Sequence, residues 1–96
     1  MNTKEQYANG QIVSSLAGNV KTYYFKTGIV KAKGPLLNDA MHGKWLFYHE
    51  NGMLWQVGNF TLNLKHGSWI RYDNMGKIVY EATFHEGKEV SKRIFS

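Results

Sequence analysis

The sequence contains no cysteine and only one proline among its 96 residues. Without cysteine, the chain has no disulfide framework, no thiolate metal site and no thiol nucleophile. It also lacks any apolar run of the roughly 18 residues that a membrane-spanning helix requires. No basic patch followed by an apolar run stands at its start, so no secretory signal is visible. We therefore expect a cytoplasmic protein, unless a leader has been removed.

Groupings of catalytic residues are missing as well. The serines lie outside any Gly-x-Ser-x-Gly context, and the carboxylates are scattered rather than paired. No glycine cluster has the spacing of a phosphate-binding loop. We predict that the protein is not an enzyme and needs no cofactor.

Acidic residues are few: seven, against twelve lysines and arginines, which gives a formal charge of +5. Most of the excess lies in the first half, where six lysines stand against two carboxylates. No run of like charges is long enough to form a basic arm. The positive charge therefore favours solubility, and we do not expect nucleic-acid binding.

Aromatic residues and glycines are abundant: aromatics make up 15% of the chain, which also has ten glycines. This composition is typical of short strands joined by tight turns. No window shows helical periodicity. Strand-like runs occur at about residues 11–16, 21–25, 29–36, 44–49, 53–61, 68–73, 77–85 and 89–95. The sequence therefore predicts an all-β fold.

A repeat of 24 residues organises the chain. HGKWLFYHENG at 42–52 returns as HGSWIRYDNMG at 66–76. The matched positions beyond the histidines, which we interpret as structural, are Gly43, Trp45, Tyr48 and Gly52 with Gly67, Trp69, Tyr72 and Gly76. A fixed period of this size indicates a repeat architecture. Within a single domain, 1–96, we predict repeats at about 18–41, 42–65 and 66–89, an N-terminal hairpin at 5–17 and a C-terminal capping strand at 89–96.

The strand after each repeat tip is predicted to have one apolar face that contains a small residue. In the middle repeat this face reads Leu54-Gln56-Gly58-Phe60, and the small residue would let a neighbouring aromatic lie on bare backbone. Trp45 and Tyr48 have opposite parity along their strand. Either one packs across the hairpin while the other fills the seam between repeats, or a bulge resets the register.

Two kinds of turn are predicted between the strands. Asn9-Gly10 and Asn51-Gly52 favour two-residue type I′ turns, because Asn and Gly tolerate positive φ. Lys26-Thr27-Gly28 and Asn74-Met75-Gly76 favour loops of three to five residues with glycine in the left-handed position.

The order Gly-x-Phe, His-Gly-x-Trp-x-x-Tyr and Asn-Gly resembles the MORN repeat variant of bacterial proteins, which includes YwqK-type antitoxins. The resemblance covers about residues 20–88 and is best at Gly58, Phe60, His66, Gly67, Trp69, Tyr72 and Gly76. It implies a row of antiparallel hairpins in one elongated, twisted sheet, and a binding role. Asn38-Asp39 and Asn63-Leu64 stand where the family has Asn-Gly, which predicts longer or more irregular connections there.

Four histidines are candidates for a metal site. His42 and His66 are repeat-equivalent, so we expect them about 10 Å apart, at two strand spacings. That is too far to share an ion whose ligand bonds are about 2 Å long. We interpret both as structural, and His49 and His85 as exposed residues at a tip and a strand end. No metal site is predicted.

Trp55 is the residue that the repeat leaves unexplained, because its equivalents are Lys31 and Val79. One interpretation is that an irregular connection such as 36–41 folds over it and buries it. The other is an exposed apolar face of Met53, Trp55 and Val57 with a charged rim, of the kind that binds a partner.

The leading hypothesis is a non-catalytic protein–protein interaction module. It would bind its partner through Met53, Trp55 and Val57, with Lys31 and Lys33 at the rim, and an antitoxin-like role would be one instance. An alternative is peripheral attachment to anionic lipid through Lys21, Lys26, Lys31 and Lys33. A third is self-association, through the open sheet edges or the same face, to give a homodimer.

Overall fold

A computed structural model of the protein describes residues 5–95, so the ends of the expected domain 1–96 and capping strand 89–96 lie outside the described residues. The described part of the chain contains nine strands and no helix. The strands are β1 (Ser14–Ala17), β2 (Val20–Tyr24), β3 (Val30–Leu37), β4 (Ala40–Met41), β5 (Gly43–Tyr48), β6 (Leu54–Thr61), β7 (Leu64–Tyr72), β8 (Ile78–His85) and β9 (Lys88–Ile94).

These strands form one open antiparallel sheet in the order β1-β2-β3-β5-β6-β7-β8-β9, with β4 paired to the end of β3. Apart from the two-residue β4, each strand along this order follows its neighbour in the chain, so the sheet is a succession of hairpins. It measures 44 × 32 × 19 Å, which is long and thin. The all-β hairpin meander expected from the repeat is confirmed.

The tips of the longer hairpins are three-residue loops, so the type I′ turns predicted at Asn9-Gly10 and Asn51-Gly52 were wrong. At residues 49–53 the Gly52 N–H donates to the His49 carbonyl at 2.9 Å, and Gly52 has φ of 88°. Asn51 does not take positive φ. Its side-chain oxygen instead accepts the Met53 N–H at 2.9 Å, which fixes the loop from within. The loops of three to five residues predicted at Gly28 and Gly76 are confirmed, and each has three residues.

The connections before the His-Gly pairs are tight two-residue turns, so the longer or irregular connections predicted there were also wrong. Asn38 and Asp39 have φ of 51° and 65°, and the next turn, at Leu62 and Asn63, has φ of 46° and 71°. Positive φ at both central residues is the type I′ pattern. Asn63 also bridges to the preceding hairpin: its N–H donates to the Met41 carbonyl at 2.8 Å, and its side-chain oxygen accepts the Met41 N–H at 2.7 Å.

A bulge follows each tip of the repeat. The antiparallel ladder skips one residue at Lys31, at Trp55 and at Val79. The bulge alternative for the register is therefore confirmed, and the extra residue lies in the strand after the tip. A bulge interrupts the alternation of side chains between the two faces of a strand. Residues before and after the bulge that are an even number of positions apart therefore no longer share a face. The continuous Met53-Trp55-Val57 face predicted from the sequence does not exist.

The core is a strip of aromatic side chains on one face of the sheet. Trp45 is fully buried and Trp69 is 3% exposed. Each ring lies on a glycine, because a Cβ added to Gly34 would lie 2.3 Å from the Trp45 ring and one on Gly58 would lie 2.4 Å from the Trp69 ring. The small residue predicted on this face thus does admit a neighbouring aromatic. The strip continues through Tyr23, Phe47, Phe60 and Phe84.

Candidate binding site

The structure separates the five residues of the predicted binding face. Lys33 pairs with Leu46, and Leu46 pairs with Val57, so Lys33 and Val57 share one face of the sheet. Lys31 and Trp55 are bulge residues, and both line a hollow that also contains core aromatics of the other face. Met53 lies in the loop before β6 and is 44% exposed.

The hollow, which we call the aromatic hollow, has a volume of about 370 Å³. Its walls come from the N-terminal segment, strands β2 to β6 and the loop after β2. Its lining includes one cation, Lys31, and seven aromatic residues: Tyr7, Tyr23, Phe25, Trp45, Phe47, Tyr48 and Trp55. Sequence reasoning missed Tyr7, Tyr23, Phe25 and Phe47 as members of a site. The alternation of side chains along a strand does not group these residues with Trp55. The bulge at Trp55 brings them together, and this bulge leaves no signature in a single sequence.

Trp55 is half-buried at the edge of the aromatic hollow. Its ring lies 6.0 Å from the His49 ring and 5.3 Å from the Arg71 guanidinium carbon. The Arg71 guanidinium also lies 5.1 Å from the Tyr80 ring. Met41, from the connection that was expected to cover Trp55, lines the same hollow and leaves Trp55 half-buried. The site therefore has an indole at its edge with a cation stacked on it.

Positive charge at the aromatic hollow is not balanced by a carboxylate in its lining, as far as the described residues show. The Lys31 ammonium lies 5.8 Å from the Phe25 ring. Arg71 donates from Nε and Nη2 to Gln56 Oε1, each at 3.2 Å, and this amide is neutral. Lys31 therefore brings into the hollow a positive charge that is unpaired among the described residues, and Arg71 brings a second one beside Trp55, just outside the lining.

Tyr80, on the far side of Arg71, has its own acceptor. Its hydroxyl donates to Glu89 Oε1 at 2.6 Å, and this hydrogen bond raises the pKa of Tyr80 above its ordinary value. Tyr80 therefore remains protonated at neutral pH. Glu89 is hydrogen-bonded to this hydroxyl. Arg71 lies between the rings of Trp55 and Tyr80, so Glu89 is on the side of Arg71 away from Trp55.

His49, which the sequence analysis interprets as exposed, is instead half-buried beside Trp55 and has a buried ring nitrogen without a partner among the described residues. No hydrogen-bond partner lies near its Nε2 within residues 5–95. An unsatisfied buried polar group costs about 1–3 kcal/mol. This nitrogen, beside Trp55, is thus a polar atom that the described residues leave unsatisfied.

The repeat-equivalent histidines have a different role. The Nδ1 atom of His42 accepts the Leu62 N–H at 3.3 Å, and the Nδ1 atom of His66 accepts the Glu86 N–H at 3.3 Å. Each histidine therefore holds the next two-residue turn. Within residues 5–95, no group of three His, Asp or Glu side chains is arranged to hold a metal ion.

The four lysines proposed for lipid attachment do not share one face. Lys21 and Thr22 are neighbours in β2 and point to opposite faces, and Thr22 pairs with Lys33. Lys33 is therefore on the face opposite to Lys21. Lys26 lies in the 25–29 loop, and Lys31 lines the aromatic hollow. The described residues contain no helix long and apolar enough to span a membrane.

A second cavity, of about 380 Å³, lies along β7, β8 and β9 and is more open than the aromatic hollow. Its lining is mixed, and the cross-strand partners Glu81 and Arg93 bring charges of both signs into it. Neither an apolar floor nor an excess of one charge distinguishes it. The aromatic hollow is the better candidate site.

Comparison with known proteins gives one match. The family model described as MORN repeat variant matches residues 41–61 and 65–86. No curated protein and no solved structure matches the chain. The matched segments hold Trp45 and Trp69, the two tryptophans that lie on glycines. Over these two repeats the chain is therefore similar to the MORN repeat variant.

Proposed function

We propose that this protein is a non-catalytic interaction module that binds a protein partner at the aromatic hollow. The observation that carries the proposal is Trp55. The repeat already buries Trp45 and Trp69 as its core, whereas Trp55 is an additional tryptophan, half-buried beside a cavity lined by aromatics. A large aromatic at the edge of an apolar concavity is typical of an interface anchor.

Similarity to the MORN repeat variant supports an interaction role, because such repeats generally mediate contacts with proteins or membranes. An antitoxin-like role is one instance, in which the partner is a toxin or an effector. A protein partner fits better than a lipid surface. A bilayer presents a broad plane of charge, whereas the lysines point to different faces.

The first experiment uses the tagged protein as bait in a lysate of its source. Wild type is compared with Trp55→Ala and with Val79→Ala, which truncates the equivalent bulge residue of the next repeat. We expect a specific partner to be retained by wild type and Val79→Ala and lost with Trp55→Ala. Circular dichroism and thermal melts of all three proteins check that they are folded.

Two further measurements separate the alternatives. Binding to vesicles containing phosphatidylglycerol that is lost at high salt, together with no Trp55-dependent partner, would favour lipid attachment. A mass of twice the monomer in light scattering, lost with Trp55→Ala, would favour self-association. A partner retained equally by wild type and Trp55→Ala would contradict the proposed site.

A further inference from the structure

We infer that the partner segment is an extended acidic peptide in which one large apolar side chain stands between two carboxylates, in the order acidic-x-apolar-x-acidic. This inference rests on the proposed function and specifies the chemistry of its partner. Three features of the site carry it: the apolar hollow, the two cations beside it and the distance between them.

The hollow determines the size and type of the apolar residue in the peptide. Its volume of about 370 Å³ is at the small end of ligand pockets, which span roughly 300–1,000 Å³. It admits one or two large side chains and excludes a folded element. Phe47 and Trp55 form part of its lining, and stacking on such rings favours an aromatic or branched aliphatic residue.

The two cations, Lys31 and Arg71, account for the two acidic residues of the peptide. Lys31 lies in β3 and Arg71 in β7, with β5 and β6 between them. Both belong to one band across the sheet, because Ala32, Phe47, Gln56 and Arg71 are successive cross-strand partners and Lys31 precedes Ala32. Three strand spacings of about 4.8 Å separate the backbones of Lys31 and Arg71 by about 14 Å. The Arg71 guanidinium stays over its own strand, between the Trp55 ring of β6 and the Tyr80 ring of β8.

The separation of the cations sets the spacing in the peptide. An extended chain rises about 3.4 Å per residue, so two side chains four positions apart are separated by about 14 Å. Side chains at i, i+2 and i+4 of an extended segment point to the same side. A peptide lying across the strands would therefore place one carboxylate near Lys31, the next near Arg71 and the central side chain in the hollow.

A peptide fits these features better than a lipid or a small acid. A small monocarboxylate reaches one cation and leaves the other unpaired. A lipid surface requires no particular spacing between acidic groups, and Lys33 on the opposite face cannot reach the same surface. Only an occupant about 14 Å long with charge at both ends uses Lys31, the hollow and Arg71 together.

The first test selects a phage-displayed library of random dodecapeptides against the wild-type protein and, as a counter-selection, against Trp55→Ala. We expect the sequences retained by wild type alone to contain two acidic residues four positions apart with a large apolar residue between them. Retained sequences without acidic residues, or with acidic residues at no fixed spacing, would overturn the inference.

The second test measures affinities of synthetic peptides by fluorescence anisotropy. A nonapeptide containing Glu-Gly-Phe-Gly-Glu is compared with the same composition in the order Glu-Glu-Gly-Phe-Gly. We expect Lys31→Glu to weaken binding of the first peptide by about three- to fivefold, because an exposed ion pair contributes up to about fivefold and the reversed charge adds repulsion. Lys33→Glu, the same charge change on the opposite face, should leave its affinity unchanged.

A charge exchange completes the test. In Lys31→Glu, a peptide with lysine in place of one of its two glutamates should bind more tightly than the original, because it restores a pair of opposite charges. Equal losses with Lys31→Glu and Lys33→Glu, or no recovery by either lysine peptide, would overturn the inference. A lysate partner that depends on Trp55 would in that case still support the proposed function, so the two failures are distinguishable.

Discussion

Two strand pairs of the sheet occupy equivalent positions 24 residues apart and are built differently. Between β6 and β7, Gly58 pairs with Trp69, and one residue of β6 then lies opposite the three residues 66–68 of β7. Between β8 and β9, Ala82 pairs with Lys92, whereas the residue equivalent to Trp69 is Arg93. The register there shifts by one residue instead of two.

The difference shows what the His-Gly-x-Trp motif does physically. Gly67 takes φ of 84°, and His66 accepts the N–H of the next turn. Together they support the irregularity that brings Trp69 onto Gly58, where the indole N–H donates to the Asn59 carbonyl at 3.1 Å. In β9, Val90 and Ser91 replace the His-Gly pair. No tryptophan then needs the space above residue 82, and an alanine methyl is accommodated there.

Removal of the tryptophan should have the largest effect. Trp69→Ala leaves a cavity above Gly58 and deletes two aromatic contacts. The Trp69 ring centre lies 5.3 Å from that of Phe60 and 5.9 Å from that of Phe84. We expect a loss of about 3–5 kcal/mol in the free energy of unfolding, measured by urea denaturation. Arg93→Ala, at the equivalent exposed position, should change it by less than about 0.5 kcal/mol. Similar losses at both positions would contradict the proposed difference between the strand pairs.

Exchange of the small residues should have an intermediate effect. In Gly58→Ala the new Cβ would lie 2.4 Å from the Trp69 ring, so the indole must move. Overpacking of this kind costs about 1–3 kcal/mol, and we expect the upper part of that range because the ring also loses its hydrogen bond. Ala82→Gly should cost less, about 1–2 kcal/mol, from chain entropy and the loss of a buried methyl group. Melting temperatures that fall equally in the two variants would argue against stacking on the glycine.

Much of this architecture is predictable from the sequence. The 24-residue period, the turn glycines and the alternation in each strand predict the hairpin meander and the small residue beneath each aromatic. These signals are local, since each depends on residues within one or two strands of the chain. The bulge residues are different. Lys31, Trp55 and Val79 share a backbone irregularity but no side-chain chemistry.

The candidate site was less predictable for that reason. Trp55 stands out in the sequence because the repeat does not account for it, yet its neighbours depend on the skipped residue in the ladder. The two-residue alternation predicts that Trp55 shares a face with Val57, whereas the bulge brings Trp55 beside Arg71 and the aromatic hollow. Tyr7 enters the hollow from a segment outside the recognisable repeats. Only the three-dimensional register joins these residues.

Loss of the histidine that holds the turn should have a smaller effect. His66→Ala removes the acceptor of the Glu86 N–H on an exposed part of the sheet. We expect a loss of about 0.5–1 kcal/mol in the free energy of unfolding, together with faster hydrogen exchange of the Glu86 amide. Val90→Ala, at the equivalent position of β9, should leave that amide unchanged. Unaltered exchange in His66→Ala would show that the turn is held by its own backbone.

The smallest expected effect distinguishes the tips of the two matched repeats. At 73–77 the Asp73 carboxylate accepts the N–H groups of Met75, at 2.8 Å, and Lys77, at 3.0 Å, whereas neutral Asn51 accepts the Met53 N–H in the 49–53 loop. The hydrogen bonds from Lys77 and Met75 lower the pKa of Asp73 below its ordinary value. The stabilisation is therefore present above the unfolded-state pKa and is lost as the pH falls through the lower folded-state pKa.

An NMR titration should show the Met75 and Lys77 amides shifting in this acidic range, while the Met53 amide does not. Asp73→Asn should abolish the shift, and an Asp73 that titrates at its ordinary pKa would contradict the assignment.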